Sequence, residues 1–311
     1  MLLVIEGGDK TGKTTLAKAL AKTYNLEYHH FGPPGPDPMK EYIDFFRGLK
    51  GPGVCDRYFI GNLVYGPLLR NVTTPWLEVL TLCRLLRKHA VFHMLASPNL
   101  KVVQDRFKAS AHKEYVTWAQ NIDAIEMFSQ IFTKLPLGWN NKKIIFNETH
   151  DDLLDVISDM AGIVERQKVR QQTVKYFTGI GTTGSPALVL VGESINPKAT
   201  RFGLPFDAGM SAEFLQMCLN EAEINEEDLY LMNQDVMTTE EVVYHKQLGS
   251  YFIALGTKAH ERLKVLGAPH SKIAHPQFFR RFRSRQWKQY CSSLAQAYEK
   301  FHEHQWKKIH V

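Results

Sequence analysis

Residues 2–15 read LLVIEGGDKTGKTT. The apolar run 2–5 predicts a buried strand, residues 7–14 match the pattern GxxxxGK[S/T], and a helical pattern starts at Thr14. In this pattern the glycines let backbone N–H groups surround a phosphate, the lysine reaches the β and γ oxygens, and the threonine hydroxyl ligates Mg²⁺. The sequence therefore predicts a site for ATP and Mg²⁺. Its predicted nucleotide-binding residues are Gly7, Gly8, Asp9, Lys10, Thr11, Gly12, Lys13, Thr14 and Thr15, with Thr14 as the metal ligand.

The composition is that of a globular protein with about two domains. The chain has 311 residues, of which 44% are apolar and 23% charged, and both fractions are ordinary. No apolar run approaches the roughly 18 residues of a membrane span, and the N-terminus lacks the basic region of a signal peptide. The four cysteines lie far apart without a CxxC pair, which argues against a disulfide framework. These features predict a soluble cytoplasmic protein with no membrane partner.

Strands alternate with helices outward from the first strand. Strand-like runs at 53–55, 90–96 and 142–149 are separated by helical patterns, and a last helix is predicted at 151–165. This order is typical of a parallel sheet with helices on both faces. Residues 175–186 contain several breakers of regular structure, and a new apolar strand starts at 187. We predict an α/β kinase domain over 1–170, a linker over 171–186 and a second α/β domain over 187–311.

Charge is divided unevenly between the halves. Residues 1–165 carry 19 Lys and Arg against 18 Asp and Glu, whereas residues 166–311 carry 19 against 14. A solvated basic face explains a mild excess of this kind as readily as a polyanion partner does.

The wider P-loop run, together with Asp56-Arg57-Tyr58 and Asn62-Leu63-Val64-Tyr65, resembles thymidylate kinases and related deoxynucleoside kinases. The resemblance implies that Arg57 clamps the acceptor and the transferring phosphoryl group. It also implies that Asp56 or Asp9 orients the acceptor hydroxyl or binds magnesium through water. Phosphoryl transfer needs mainly positioning and charge neutralisation. The predicted catalytic residues are Lys13, Asp9, Asp56, Arg57 and Arg106; an ion pair at the surface is the alternative role for Asp56 and Arg57.

Two segments depart from the kinase pattern. The region from Gln104 to Lys113 matches the lid that covers the ATP phosphates in the resembled kinases, and it has a single arginine. Arg106 is therefore the predicted lid residue, and Lys108 and Lys113 are expected to be solvated. The segment that begins at His29-His30 replaces the arginine-containing stretch that binds a monophosphate in the resembled kinases. This change argues against a free nucleoside monophosphate as the acceptor. Adjacent histidines at a strand end are more often structural than ligands.

Three runs in the second half resemble the uracil-DNA glycosylase superfamily, especially its iron–sulfur members. They are residues 191–194 continuing to 203–209, residues 227–233, and residues 254–256 followed by 275–280. The resemblance implies that Phe206 stacks on an extruded base, Asn233 reads its Watson–Crick edge and His275 faces the base O2. Such roles suit base flipping. No cysteine stands at the cluster positions, so no iron–sulfur cluster is predicted.

The catalytic position of the glycosylases is also altered. Ser194 stands where other classes carry a water-activating Asp or Asn, which leaves Glu193 as the candidate base. Phe206 as a core residue and His275 as a loop cap are the structural alternatives. Basic and aromatic residues then alternate through 278–288, a mixture suited to phosphate contacts and base stacking. The predicted base- or DNA-binding residues are Glu193, Phe206, Asn233, His275, Arg280, Arg281 and Arg283.

The pairing of the two halves resembles the hydroxymethyluracil DNA kinases of bacteriophages. That resemblance implies phosphorylation of the hydroxymethyl group of 5-hydroxymethyluracil in DNA, with DNA as the partner and the host cytoplasm as the location. The first alternative is a kinase of free deoxynucleoside monophosphates. The second is a DNA repair glycosylase with an accessory ATPase domain. The resembled kinases are often dimers, so a homodimer is one option.

Overall fold

The computed structural model describes residues 2–87, 91–96, 99–110, 116–136, 142–146, 177–195 and 200–309. These residues form two compact units. The first lies within Met1–Pro75, His89–Leu135 and Asn140–Val169. The second lies within Trp76–Lys88, Pro136–Trp139 and Arg170–Val311.

The first unit is built on a parallel five-stranded sheet, as the alternating pattern predicts. The strands are β1 (Leu2–Glu6), β2 (Glu27–His30), β3 (Gly53–Asp56), β4 (Val91–Ala96) and β5 (Lys142–Phe146). Their order is β2-β3-β1-β4-β5. The central strand β1 is buried along its whole length because both of its neighbours are strands and helices cover the sheet. The P-loop (residues 7–14) therefore starts at the carboxyl edge of the middle strand.

Helices with well-defined ends surround this sheet. They are α1 (Lys13–Tyr24), α2 (Pro38–Gly48), α3 (Phe59–Arg70), α5 (Leu100–Lys108) and α6 (Trp118–Lys134). The Asp37 side chain caps α2 ahead of Pro38, and Thr117 with Gln120 forms a capping box at α6. Leu16, Ala17 and Leu20 of α1 pack into the core against β1 and β3. The helix that follows the P-loop is thereby fixed to the sheet that carries the loop.

The second unit has its own five-stranded sheet. Its strands are β6 (Ile180–Gly181), β7 (Leu188–Gly192), β8 (Leu229–Asn233), β9 (Tyr251–Leu255) and β10 (His270–Ile273), in the order β10-β9-β7-β8-β6. Only β6 among these is antiparallel to its neighbour. The helices are α4 (Trp76–Leu86), α7 (Met210–Glu221), α8 (Thr239–Leu248), α9 (Thr257–Val265), α10 (Pro276–Phe282) and α11 (Trp287–Ile309).

The division of the chain differs from the predicted boundaries in two places. Helix α4 lies within the predicted kinase domain but groups with the second unit, where Arg84 is bonded to Glu226. The predicted linker contains the strand β6, and Phe177 belongs to the core of the second unit. Short, glycine-rich segments look like linkers in sequence, but here Glu241 accepts hydrogen bonds from the Thr178 hydroxyl and the Gly179 N–H and so anchors the segment.

The helix predicted at 151–165 lies outside the described residues. Within the described residues, we find no helix with the length and apolar character needed to span a bilayer.

Candidate functional site

The P-loop adopts a backbone that depends on glycine. Gly7 and Gly12 have φ values of 143° and 91°, in the region that side chains disfavour. A Cβ on Gly7 would lie 2.5 Å from the Ala96 carbonyl oxygen, and one on Gly8 would lie 2.6 Å from Ile125 Cγ1. Glycine is therefore required for the loop to fit against its neighbours, and the Thr11 hydroxyl closes it by donating to the Gly8 carbonyl at 2.9 Å.

Lys13 holds a buried ammonium group at the end of this loop. The side chain is 5% exposed, and Nζ donates to the Gly8 carbonyl at 2.8 Å and to Asp9 Oδ1 at 3.5 Å. Burial, with a smaller effect of the Arg57 charge, lowers the pKa of Lys13 to about 8, against the opposing effect of Asp9. A buried cation with one carboxylate partner can gain further neutralisation from a phosphate.

Asp9 links the P-loop to Arg57. Its Oδ1 accepts from Arg57 Nη2 at 2.9 Å as well as from Lys13. Arg57 Nε is buried and has no hydrogen-bond partner among the described residues. Phosphate oxygens are natural acceptors for such a guanidinium. The structure thus brings Lys13, Asp9 and Arg57 together.

The turn that presents Arg57 is strained and is held by Glu6. Arg57 has φ 69°, a conformation that costs roughly 1–3 kcal/mol for a residue other than glycine. Glu6 Oε1 accepts from the backbone N–H groups of Tyr58 and Ile60 at 3.0 and 2.9 Å. Burial raises the pKa of Glu6 to about 7, against these backbone hydrogen bonds. The sequence alone indicates no role for Glu6, because its partners lie more than 50 residues away.

Asp56 is placed differently from Asp9. It is fully buried, and its Oδ2 accepts from the Tyr28 hydroxyl at 3.0 Å and lies 2.9 Å from His30 Nδ1. Its Oδ1 is buried without a partner among the described residues. Of the two histidines that departed from the kinase pattern, His30 therefore supports Asp56, and His29 packs edge-on against Phe45.

Arg106, the predicted lid residue, contacts the P-loop. Its Nη1 donates to the Lys10 carbonyl at 3.3 Å and lies 3.4 Å from the position of a Cβ on Gly12. Lys10 Nζ in turn donates to Ser110 Oγ at 3.0 Å. Lys108 is exposed, and Lys113 lies outside the described residues.

A cavity of about 220 Å³ opens beside the Asp9–Arg57 pair. Aromatic side chains form much of its wall, and Asn62 and Arg70 supply polar groups, joined by a hydrogen bond of 2.7 Å from Arg70 Nη2 to Asn62 Oδ1. Tyr65 also lines it, with its hydroxyl buried near the Asp9 carboxylate. The remaining aromatic lining residues are Phe31, Tyr42 and Tyr58. An aromatic cavity with a few convergent polar groups suits a planar polar ring.

These residues fit a nucleoside triphosphate with magnesium. The P-loop offers backbone N–H groups and Lys13 to phosphate oxygens, and the Thr14 hydroxyl would hold Mg²⁺. Bound Mg²⁺ would neutralise charge on the β- and γ-phosphates. Within the described part of the chain, no group of three or more His, Cys, Asp or Glu could hold a metal ion by itself.

The pKa of Lys13 predicts how ATP binding depends on pH. Lys13 carries its positive charge below about pH 8 and loses it as the pH rises through that value. We therefore expect the affinity for MgATP to be constant between pH 7 and 7.5. Above pH 8 it should fall by up to about tenfold per pH unit, until the pKa of the bound state is reached. Equilibrium titration between pH 7 and 9.5 measures this; an affinity that stays level to pH 9.5 would contradict it.

The second unit contains a separate cavity of about 280 Å³. Side chains from four different segments meet there, although they lie far apart in sequence. Of the residues predicted to bind a base or DNA, those that line it are Phe206, Asn233, His275, Arg280 and Arg281; Ser194 lines it as well.

A buried carboxylate shapes the loop that presents Phe206. Asp207 is 2% exposed and accepts from the Thr200 hydroxyl at 2.7 Å and from the N–H groups of Phe202 and Leu204 at 2.6 and 3.0 Å. Phe206 itself has φ 52°. Strained residues held by surrounding hydrogen bonds are a feature of binding sites.

Phe206 and Asn233 converge on Gly192. Asn233 ends β8 directly opposite Gly192, which ends β7. A Cβ on Gly192 would lie 2.3 Å from Asn233 Oδ1 and 2.6 Å from Phe206 Cζ. The missing side chain therefore allows the aromatic ring and the amide to occupy one end of the cavity.

His275 faces the cavity as a neutral donor. Its Nδ1 accepts from the Gln277 N–H at 3.2 Å and so caps α10, which assigns the ring proton to Nε2. Burial lowers the pKa of His275, against the nearby charge of Glu193. The capping role and a place in the cavity wall are combined in one side chain.

Glu193 lies elsewhere than its predicted role requires. Its Oε1 accepts from the Lys258 N–H at 3.3 Å, at the N-terminus of α9, and it is not among the residues that line the cavity. The carboxylate fills the space next to Gly256, where a Cβ would lie 2.5 Å from Oε1. Arg283 lies outside the cavity as well, with its guanidinium 5.6 Å from the centre of the Phe278 ring.

Comparisons with known proteins give similarities over about half of the chain. No protein-family model matches it, and no curated protein matches it. The YorR protein of Bacillus subtilis, solved in complex with phosphorylated GDP, is 15% identical, covers 54% of this chain and 98% of its own, and gives a TM-score of 0.45. A deoxyadenosine kinase from M. mycoides with bound dCTP is 13% identical, covers 52% of this chain and 99% of its own, and gives a TM-score of 0.36. At these values the similarities do not assign a function to this chain.

Proposed function

We propose that the chain is an ATP-dependent phosphotransferase whose acceptor is the hydroxymethyl group of 5-hydroxymethyluracil in DNA, and that the second unit binds the base or the DNA. The observation that carries the phosphotransferase part is the position of Asp9 and Arg57. Asp9 belongs to the P-loop and pairs with Lys13, Arg57 donates to Asp9, and both Asp9 and Arg57 line the aromatic cavity of the first unit. The site that would bind the phosphates and the cavity that would bind the acceptor therefore have Asp9 and Arg57 in common.

This geometry supports a direct transfer. The acceptor oxygen would bond to the γ-phosphorus as the bond to the β–γ bridging oxygen breaks and ADP departs. Asp9 would orient the acceptor hydroxyl and take its proton, and Arg57 and Lys13 would neutralise charge on the transferred group. Glu6 would keep Arg57 in place through the backbone of its turn.

The DNA part of the proposal is supported by the second cavity and its rim. Phe206, Asn233 and His275 offer an aromatic face, an amide and an N–H donor, which are the groups that read a flipped pyrimidine. At the rim of the cavity, Phe278 and Phe282 are 43% and 72% exposed; Arg281 of the lining and Arg283 are exposed as well. Such side chains suit stacking and phosphate contact.

Phe206→Ala tests the role of this cavity. Base–aromatic stacking contributes about 1–3 kcal/mol per base, so we expect KM for 5-hydroxymethyluracil-containing duplex DNA to rise roughly 5- to 150-fold, with KM for MgATP unchanged. Steady-state phosphoryl transfer measures both. Trp306→Ala is the control, since Trp306 is a 69% exposed aromatic of the same unit. An unchanged KM in Phe206→Ala would remove the base-binding role of the cavity.

A kinase of free deoxynucleotides is the second candidate. The aromatic walls of the first cavity favour it, because they would accommodate a pyrimidine ring without any part of the second unit. That candidate predicts turnover of free dTMP or a related nucleotide and no reaction with DNA.

The glycosylase alternative is disfavoured by the second cavity. Asp207 is the one carboxylate among the described residues that line it, and both of its oxygens accept hydrogen bonds from the Thr200–Leu204 loop. Glu193 is engaged at α9. A carboxylate free to activate water is therefore missing from the described lining. Abasic sites formed in uracil-containing DNA would restore this alternative.

A further inference from the structure

Asn121 of α6 forms two hydrogen bonds with one residue of the P-loop. Its Oδ1 accepts from the Asp9 N–H at 2.8 Å, and its Nδ2 donates to the Asp9 carbonyl at 3.0 Å. The side chain is fully buried, so water does not compete for either bond. The amide of Asn121 thereby fixes both peptide groups that flank the Asp9 Cα.

Helix α6 supports the P-loop closely at this point. A Cβ on Gly8 would lie 2.6 Å from Ile125 Cγ1 and 3.1 Å from Asn121 Oδ1, so the loop backbone rests directly on the helix. The capping box of Thr117 and Gln120 fixes the start of α6 one turn before Asn121. The loop cannot shift towards the helix, and the two hydrogen bonds oppose its movement away.

The side chain of Asp9 depends on this support. Its Oδ1 lies 2.9 Å from Arg57 Nη2 and 3.5 Å from Lys13 Nζ, and its direction follows from the backbone conformation at Asp9. We propose that Asn121 is a positioning residue for phosphoryl transfer, which holds the Asp9 carboxylate between the Lys13 ammonium and the Arg57 guanidinium. This inference rests on the proposed phosphotransferase function and adds a residue to it.

A double-mutant cycle separates positioning from a merely structural role. The variants are Asn121→Ala, Asp9→Asn and the pair; Asp9→Asn retains the peptide groups that Asn121 contacts. Displacement of a reacting group by about 1 Å can cost on the order of 100-fold, so we expect Asn121→Ala to lower kcat by about 10- to 100-fold, with KM for ATP changed less than about threefold. In the Asp9→Asn background the second substitution should add little, because the carboxylate that it positions is already gone.

The outcomes that would overturn the proposal are equally specific. A kcat of Asn121→Ala equal to that of the wild type would exclude the role, and so would effects that multiply in the pair. Gln130→Ala is the matched control, since the Gln130 side chain lies on the same helix at the surface, where its Nε2 donates to Glu126 Oε1 at 3.1 Å. Thermal unfolding checks each variant. If Asn121→Ala does not fold, the near-isosteric Asn121→Leu replaces it, because it fills a similar buried volume and makes neither hydrogen bond.

A second readout needs no acceptor. Slow hydrolysis of γ-labelled ATP by water uses the same phosphate-binding residues, so we expect Asn121→Ala to lower this rate by about 10- to 100-fold as well. An unchanged hydrolysis rate would contradict positioning even if the acceptor in DNA proved wrong. Failure of the wild-type chain to bind MgATP would overturn the proposed function and this inference together.

Discussion

Lys13→Met should lower γ-phosphoryl transfer by about 10³-fold, which is the loss typical for a charged group that stabilises a transition state. The ammonium lies at the closed end of the P-loop and donates to the Gly8 carbonyl and to Asp9. Without this ammonium, one cation fewer stabilises the negative charge that develops between the β- and γ-phosphates. The loss is large because the site is buried and its dielectric constant is low.

The fold should survive this substitution. Burial already disfavours the charged form of Lys13, whose pKa is lowered to about 8, and methionine keeps most of the aliphatic volume. Single-turnover transfer from γ-labelled ATP measures the effect, with Lys22→Met, an exposed lysine of the same helix, as the control. Transfer by Lys13→Met at a tenth of the wild-type rate or more would contradict the assignment of the P-loop as the ATP site.

Glu226→Ala should destabilise the second unit by about 3–5 kcal/mol, because it leaves buried cations without their counter-charge. Arg84 and Arg87 are each 1% exposed. Arg84 Nε donates to Glu226 Oε2 at 3.1 Å and its Nη2 bonds to Oε1, while Gln216 Nε2 donates to Oε1 at 3.0 Å. Arg87 bonds to the backbone carbonyls of Pro136 and Glu226, and its Nη2 lies 3.7 Å from Glu226 Oε2. This network attaches α4 to the rest of the second unit.

Hydrogen exchange of peptides from β7 and β8 reports the free energy of opening of this unit. Glu299→Ala, at an exposed position of α11, is the control. Burial raises the pKa of Glu226, but Arg84 and Arg87 more than offset it, so the pKa is lowered overall. The stabilisation is therefore present above the pKa of the unfolded state and is lost as the pH falls through that of the folded state. Protection in Glu226→Ala equal to that of the wild type would show that the network contributes nothing.

The P-loop was predictable from sequence because its information is local. The strand, the four specified positions of the pattern GxxxxGK[S/T] and the start of the helix all lie within 14 residues. Phosphate binding requires each of these features for a separate physical reason. The partners of that loop were not predictable. Glu6 supports the turn at Arg57 across more than 50 residues, and Asn121 supports Asp9 across 112. Buried side chains that serve a backbone leave no spacing signal, since the same residue types occur throughout any core.

The order of elements along the chain does not indicate the domain to which α4 and residues 171–186 belong, and both group with the second unit. Neighbours in sequence place both segments outside the second domain, whereas Arg84 and Phe177 have packing partners beyond residue 200. In the second half the resemblance grouped Phe206, Asn233 and His275, and the structure brings these three side chains to one cavity. It also grouped Glu193 with them, and the cap of α9 accounts for that carboxylate instead.

The measurement that tests the central claim most directly is transfer of label from γ-labelled ATP, with Mg²⁺, to three acceptors in parallel. They are duplex DNA with 5-hydroxymethyluracil, the same duplex with thymine, and free pyrimidine deoxynucleotides. The proposed function predicts label in the first acceptor alone, and none with Lys13→Met. Label in the free nucleotides alone would contradict the DNA acceptor and leave a nucleotide kinase. Label in none of the three would contradict the claim as a whole.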